Sequence, residues 1–233
     1  MNTLSLPPLL TGEAVAGDPA AQACARARQG CDAGLMTWAV TPDRVDAALV
    51  FAPEVALEQA MVMLPLCGVG LQNALGALAP PEVAVHLGWD GTIHVNGARC
   101  GGLRAMAPAT APGAVPDWMV VALSLRLRLS SDAPGETPDD TALSEEGCAE
   151  IAPELLLEAW GRHTLNWIGR WEDDGPRPVH AEWRGLVHDI GKPVRHGDRQ
   201  GTFLGTDESF GMLLRDADGT HLIPLTTLLE GTT

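Results

Sequence analysis

The chain predicts an α+β fold: a mixed or antiparallel sheet with helices on one face, followed by a small β-barrel. Three observations carry this. Strand-length apolar runs and hairpin-turn dipeptides recur through residues 34–129, two longer stretches at 53–78 and 153–171 have helical composition, and the last ~55 residues hold only short strand-like pieces. Asp173-Asp174-Gly175-Pro176 closes the second helical stretch and supplies a boundary, giving units 1–175 and 176–233.

In chain order, Asp18-Pro19 followed by AAQACARARQG predicts a short helix with a side-chain cap, proline at the first helical position and Gly30 near the end. Gly34 to Ala39 and Val45 to Ala52 are of strand length around a turn-rich Val40-Thr41-Pro42-Asp43-Arg44, which predicts a hairpin. Pro53 to Leu78 is helical in composition, with Pro65 expected to kink or break it. Val83 to Leu87, Thr92 to Val95 and Arg99 to Leu103 are short strands around the turn dipeptides Asp90-Gly91 and Asn96-Gly97. Trp118 to Leu129 alternates as a further strand, with Arg126 and Arg128 on one face.

Ser131 to Glu154 carries eight acidic residues and no basic one, the composition of a solvated excursion. Pro153 to Trp171 is a helix whose stripe of Leu156, Trp160, His163 or Thr164, Trp167 and Trp171 reads as core. Beyond the boundary, Ala181 to Val187, Thr202 to Gly205, Met212 to Arg215 and His221 to Pro224 are strand-like, with Asp218-Gly219 as a hairpin turn.

Composition narrows the function. With 233 residues and 45% apolar content, the chain can bury one substantial core plus a small second one. A formal net charge of -15 argues against a phosphate-binding surface, so no nucleic-acid partner is expected, and against attraction to anionic membranes. MNTLSLPPLL lacks the basic and apolar regions of a signal peptide, and no apolar run is expected to reach the ~20 residues needed to cross a bilayer. A cytoplasmic protein is expected, its oligomeric state unknown. Cys24, Cys31, Cys67, Cys100 and Cys148 are odd in number and unpaired in spacing, which predicts reduced, largely buried thiols.

The chemistry-bearing segment is VAVHLGWDGTIHVNGARCGGL, Val83 to Leu103. It resembles the active-site hairpin of the biotin–protein ligases, which begins Lys-Trp-Pro-Asn-Asp and continues through Asn-Gly-Arg-Lys to a small-residue pair. Trp89, Asn96, Gly97, Arg99, Gly101 and Gly102 match that pattern, whereas Gly88, Asp90, Gly91 and Thr92 stand where lysine, proline, asparagine and aspartate are expected. GTFLGTDESFGMLLRDADGTHLIPL is similar to the SH3-like C-terminal domain of many such ligases. The resemblance implies the mixed-sheet fold of the biotin and lipoate ligases, followed by an SH3-like barrel.

The resemblance further implies activation of biotin, lipoate or a related acid with ATP, and acyl transfer to a carrier-protein lysine. That half-reaction brings a carboxylate against a polyphosphate, so cations, usually with magnesium, must offset the charge. Gly88 supplies none, and Lys192 is the only lysine of the chain. The Gly- and Arg-rich loop that closes over the adenylate in the family is reduced here to Val40 to Asp46, with Arg44 its sole cation. The family's Gly-Ile-Gly strand is Ala122-Leu123-Ser124, which removes places for close backbone approach.

Each ligand-binding candidate has an alternative. Arg99 reaches a carboxylate or phosphate if it points into a pocket, and is otherwise an exposed turn arginine. Trp89 lines an acyl pocket or packs in the core. Gly101-Gly102 admit a ligand or kink a strand. Cys100 or Cys148 as an acyltransferase nucleophile would need an activated thiolate, and the partnering lysine is absent. His86 and His94 flank the hairpin without a third placed ligand, and His180, His188 and His196 follow no helical ligand spacing, so no metal is expected.

The catalytic residues stay unassigned. Three functions follow: a ligase-like protein binding a small carboxylic acid, acyl group or acyl-carrier partner without efficient ligation; an active ligase or acyltransferase using Arg44, Arg99 or Arg104; or an interaction module whose pocket has become core. A cleft beside Trp89 with convergent arginines would favour the second, and a filled cleft the third.

Overall fold

The structure, a computed structural model, describes residues 3–108, 111–129 and 139–231. Its main sheet is mixed. In chain order the strands are β1 (Thr11–Ala14), β2 (Leu35–Val40), β3 (Arg44–Phe51), β4 (Val85–Leu87), β5 (Thr92–Val95), β6 (Ala98–Ala107) and β7 (Met119–Arg126), arranged β1-β2-β3-β7-β6-β5-β4. The β2–β3 hairpin forms as expected, and β1, which carries no turn dipeptide to announce it, adds in parallel to β2.

Period-two alternation divides the sheet cleanly. Val45, Ala47 and Leu49 of β3 with Met119, Val121, Leu123 and Leu125 of β7 join the large core, while Ala48, Val50, Val120 and Ala122 join a smaller cluster on the other face. That smaller cluster is covered by α1 (Pro19–Arg28), so one helix stands on the face opposite the others. Asp18 caps it by accepting from Ala20 N at 2.9 Å.

The large core is covered by α3 (Met63–Leu78) and α4 (Pro153–Asp174), preceded by the single turn α2 (Leu57–Ala60). Pro65 does not kink the helix. It sits in the first turn of α3, where backbone N–H groups have no intrahelical partner to lose, and the break falls instead at Met61-Val62. Counted together by length and composition, α2 and α3 (Leu57–Leu78) are long and apolar enough to cross a bilayer, contrary to expectation, but 72% of the spanning window is buried inside the fold.

The α4 stripe is core as expected. Trp160 is fully buried and its indole donates to Cys67 O at 3.0 Å, while Trp167 donates to Asn73 Oδ1 at 2.8 Å. Burying an indole removes roughly 200 Å² from water, on the order of 5 kcal/mol, so this stripe is a large part of what holds α4 to α3.

Two further expectations are corrected. Ala181 to Leu186 is not a strand but belongs to α5 (Arg177–Leu186), which buries Val179 and Trp183 four apart on one helical face, and only Val187 beyond its end makes a β-bridge, to Leu87. The acidic Ser131–Glu154 segment is only partly open to solvent: residues 131–138 lie outside those described, but Ala142, Leu143 and Cys148 are buried. The chain then forms a separate antiparallel sheet of β8 (Pro193–His196), β9 (Arg199–Thr206), β10 (Met212–Asp216) and β11 (Gly219–Ile223), in the order β11-β10-β9-β8. After a 3-10 turn at Leu225–Leu228, β12 (Leu229–Gly231) returns to the main sheet beside β6.

Candidate functional site

The hairpin β4–β5–β6 is built by its two turn dipeptides. Asn96 and Gly97 have φ 50 and 91, the left-handed pair of a tight hairpin turn. Gly91, at φ 87, lies so close to β6 that an added Cβ would strike Leu103 O, and its own carbonyl accepts from Leu103 N at 2.8 Å.

Most of the family-matching positions are engaged in structure. Gly88 leaves little space: a Cβ there would lie 2.6 Å from Asp90 Oδ1, which already accepts from Thr92 N at 3.0 Å. Trp89 is 8% exposed and its Nε1 donates to Phe210 O at 2.7 Å, with the His196 ring edge-on at 5.1 Å. Beside it Leu64, Leu87, Leu103, Trp183, Phe210 and Leu225 leave a void of about 10 Å³. That is room for one water, not for an acyl chain.

At the far turn, Asn96 accepts from Ala84 N at 2.9 Å and donates to Glu146 Oε2 at 2.7 Å. Arg99 Nε donates to Asp140 Oδ1 at 2.7 Å, and Arg126 Nη1 reaches the same oxygen at 3.2 Å. The Arg99 hydrogen bond, assisted by Arg126, holds the Asp140 carboxyl below the usual carboxylate range. Gly101 lies so close to β7 that a Cβ would overlap Ser124 O, which explains this glycine by strand approach. Gly102 has room above it, the nearest atom to an added Cβ being Gly91 O at 3.5 Å.

The cations do not converge. Arg44 is exposed at the start of β3, Arg99 is bound to Asp140, and Arg104 Nη1 is 3.1 Å from Glu230 Oε2. The β2–β3 connection is three residues, Thr41 to Asp43, pinned by Thr41 N donating to Arg44 O at 2.8 Å. Thiol chemistry is equally restrained: burial pushes the Cys100 thiol up to about 12, and raises Cys67 and Cys148 as well.

Sequence reasoning missed Asp140, Arg126, Trp183 and Phe210, each distant in the chain from the groups it meets. Asp140 sat within an acidic run that composition alone marks as solvated. It also missed an open groove of about 1170 Å³ between Phe51, Val55, Leu165 and Ile168 and the Asp207–Gly211 loop, rimmed by Glu54, Glu58, Glu172 and Asp207.

The model of the Biotin/lipoate A/B protein ligase family matches residues 6–185. The chain belongs to that family. A second model, a domain of unknown function (DUF4444), matches residues 190–231 of this family member. Its sequence is 25% identical over 202 residues to a biotin–[acetyl-CoA-carboxylase] ligase of Paracoccus denitrificans, covering 83% of each chain.

Among solved structures, the family member is similar to a biotin protein ligase-like protein of unknown function from Silicibacter sp., with 56% identity, TM-score 0.92 and coverage of 98% of this chain and 100% of the other. It shares the fold of the Aquifex aeolicus biotin protein ligase, at 14% identity, TM-score 0.72 and coverage of 91% and 95%.

Proposed function

We propose that this ligase-family chain acts by binding, without efficient ATP-dependent ligation, and that its ligand is an acyl-carrier partner or a small carboxylic acid or acyl group. The observation that carries this reading is the filled void beside Trp89, about 10 Å³ where ligand pockets commonly measure 300–1,000 Å³. The three-residue β2–β3 turn supports it, since nothing of that length can fold over an adenylate.

Between the two ligand classes, charge favours the carrier partner. A free acid needs an uncommitted cation in the pocket, whereas Arg99 and Arg104 are each paired with a carboxylate and Arg44 is exposed at the start of β3, not among the residues lining the void beside Trp89. The large groove has apolar walls under four rim carboxylates, which suits a lysine-bearing segment of a carrier domain better than an anion. An SH3-like barrel for the C-terminal unit and units divided as 1–175 and 176–233 belong to the same reading.

Calorimetry with biotin, lipoate, octanoate and an ATP analogue, alongside carrier domains, tests it. Carrier binding with no heat from ATP is expected. Pyrophosphate released from ATP and an acid substrate would overturn the reading in favour of an active ligase.

A further inference from the structure

His86 and His94 face each other in the β4–β5 register, on the sheet face turned away from α3 and α4. The segment after α5 is zipped onto the β4 edge: Val187 bridges Leu87, and His188 N donates to Leu87 O at 2.8 Å. This lays the His188 ring on His94, with centroids 3.9 Å apart, and 6.1 Å from the His86 ring. Asp189 follows at φ 65, which turns its Oδ1 to within 2.9 Å of His188 Nδ1.

Two further facts mark the cluster as more than edge packing. The donor atoms of His94, His188 and Asp189 all lie within 4.8 Å of one another. The Nδ1 atoms of His86, His94 and His188 are enclosed and have no hydrogen-bond partner; the 2.9 Å contact of His188 with Asp189 lacks hydrogen-bond alignment. Native structures seldom leave one such nitrogen unused, and three in one place call for a common partner.

We propose that His94, His188 and Asp189 bind a divalent transition-metal ion of the zinc class, with His86 beside them. Imidazole nitrogen with a single carboxylate selects zinc, cobalt or nickel over magnesium or calcium, which prefer oxygen. The His94 Nδ1 is enclosed without a hydrogen-bond partner, which leaves that nitrogen available to a metal ion. Tetrahedral donors stand about 3.3 Å apart, so the stacked rings must turn and close by about 1.5 Å at most. Lys192 Nζ, 2.9 Å from Asp189 Oδ1 and 60% exposed, is the cation the metal displaces.

Bound there, the ion ties the hairpin edge to the connection leading into the C-terminal sheet. Untagged full-length protein, stripped with chelator, is titrated with cobalt chloride for visible absorption and with zinc chloride against a chromophoric chelator. One ion per chain is expected. His94→Gln and His188→Gln should each weaken zinc by more than about 100-fold, beyond the loss typical of an outer-shell partner. Lys192→Gln should tighten it, a gain that misfolding cannot mimic, and His196→Gln should leave it unchanged. Melting curves of the metal-free variants confirm folding. Absence of stoichiometric binding, or affinity retained by the His94→Gln/His188→Gln double variant, overturns the site.

Discussion

The indole of Trp89 donates a 2.7 Å hydrogen bond to the backbone carbonyl of Phe210, joining the family-matching hairpin to the C-terminal sheet across 121 residues of chain. The bond is buried, and it makes the motif tryptophan a clamp between the two sheets.

Trp89→Phe keeps an aromatic ring, though a smaller one, but strands that carbonyl. The expected loss is about 1–3 kcal/mol in urea unfolding, the cost of an unsatisfied buried acceptor. Unchanged stability would remove Trp89 from the clamp.

Gly88→Lys tests the lost lysine directly. The new Cβ starts 2.6 Å from Asp90 Oδ1 and the void beyond Trp89 is filled, so the lysine is expected to restore neither ATP-analogue binding in calorimetry nor pyrophosphate exchange. Restored exchange would mean that this one charge, not the packed cleft and short turn, silenced the site.

Asp140→Asn releases Arg99 and Arg126 together. Because the folded carboxyl titrates below its ordinary value of 3.8, its contribution to stability is fully present above that pH and is lost as pH falls through the lowered folded pKa. Melting temperatures of wild type and variant should therefore differ at pH 6 and converge as the pH falls below the lowered folded value. A gap that stays constant across the range would contradict the ion pair.

The α3–α4 crossing predicts opposite signs for two glycines on one helix. At Gly70 an added Cβ meets Thr164 Oγ1 at 2.7 Å and Thr164 N at 3.1 Å, so Gly70→Ala should cost about 1–3 kcal/mol. At exposed Gly76 the nearest atom is Gln72 Nε2 at 3.9 Å, and Gly76→Ala should add about 0.5–1 kcal/mol through helix propensity. Chemical denaturation of both variants decides it.

Alkylation separates structural from reactive thiols. Iodoacetamide at pH 8 should modify the half-exposed Cys31 first and reach Cys67 and Cys100 only after unfolding, as mass spectrometry would show. Rapid labelling of Cys100 in the folded protein would revive it as a nucleophile.

Local patterns were legible in the chain because they act over a few residues. Asp18-Pro19 began a helix, Asn96-Gly97 made a turn, and the Trp160 and Trp167 spacing placed a core stripe. Pro65 misled because its effect depends on where the first turn begins, and Ala181 to Val187 misled because the Ala-Glu-Trp-Arg alternation mimics a strand over too few residues to exclude a helix.

By itself, then, the sequence determined the α+β class, the order of the elements, the family resemblance, and the loss of a lysine and a loop. Only the tertiary structure decided what the remaining site residues do. Arg99 meets Asp140 over 41 residues, Trp89 meets Phe210 over 121, and His94 meets His188 from the far end of α5. Such contacts depend on the packing of whole elements, which local residue patterns do not encode.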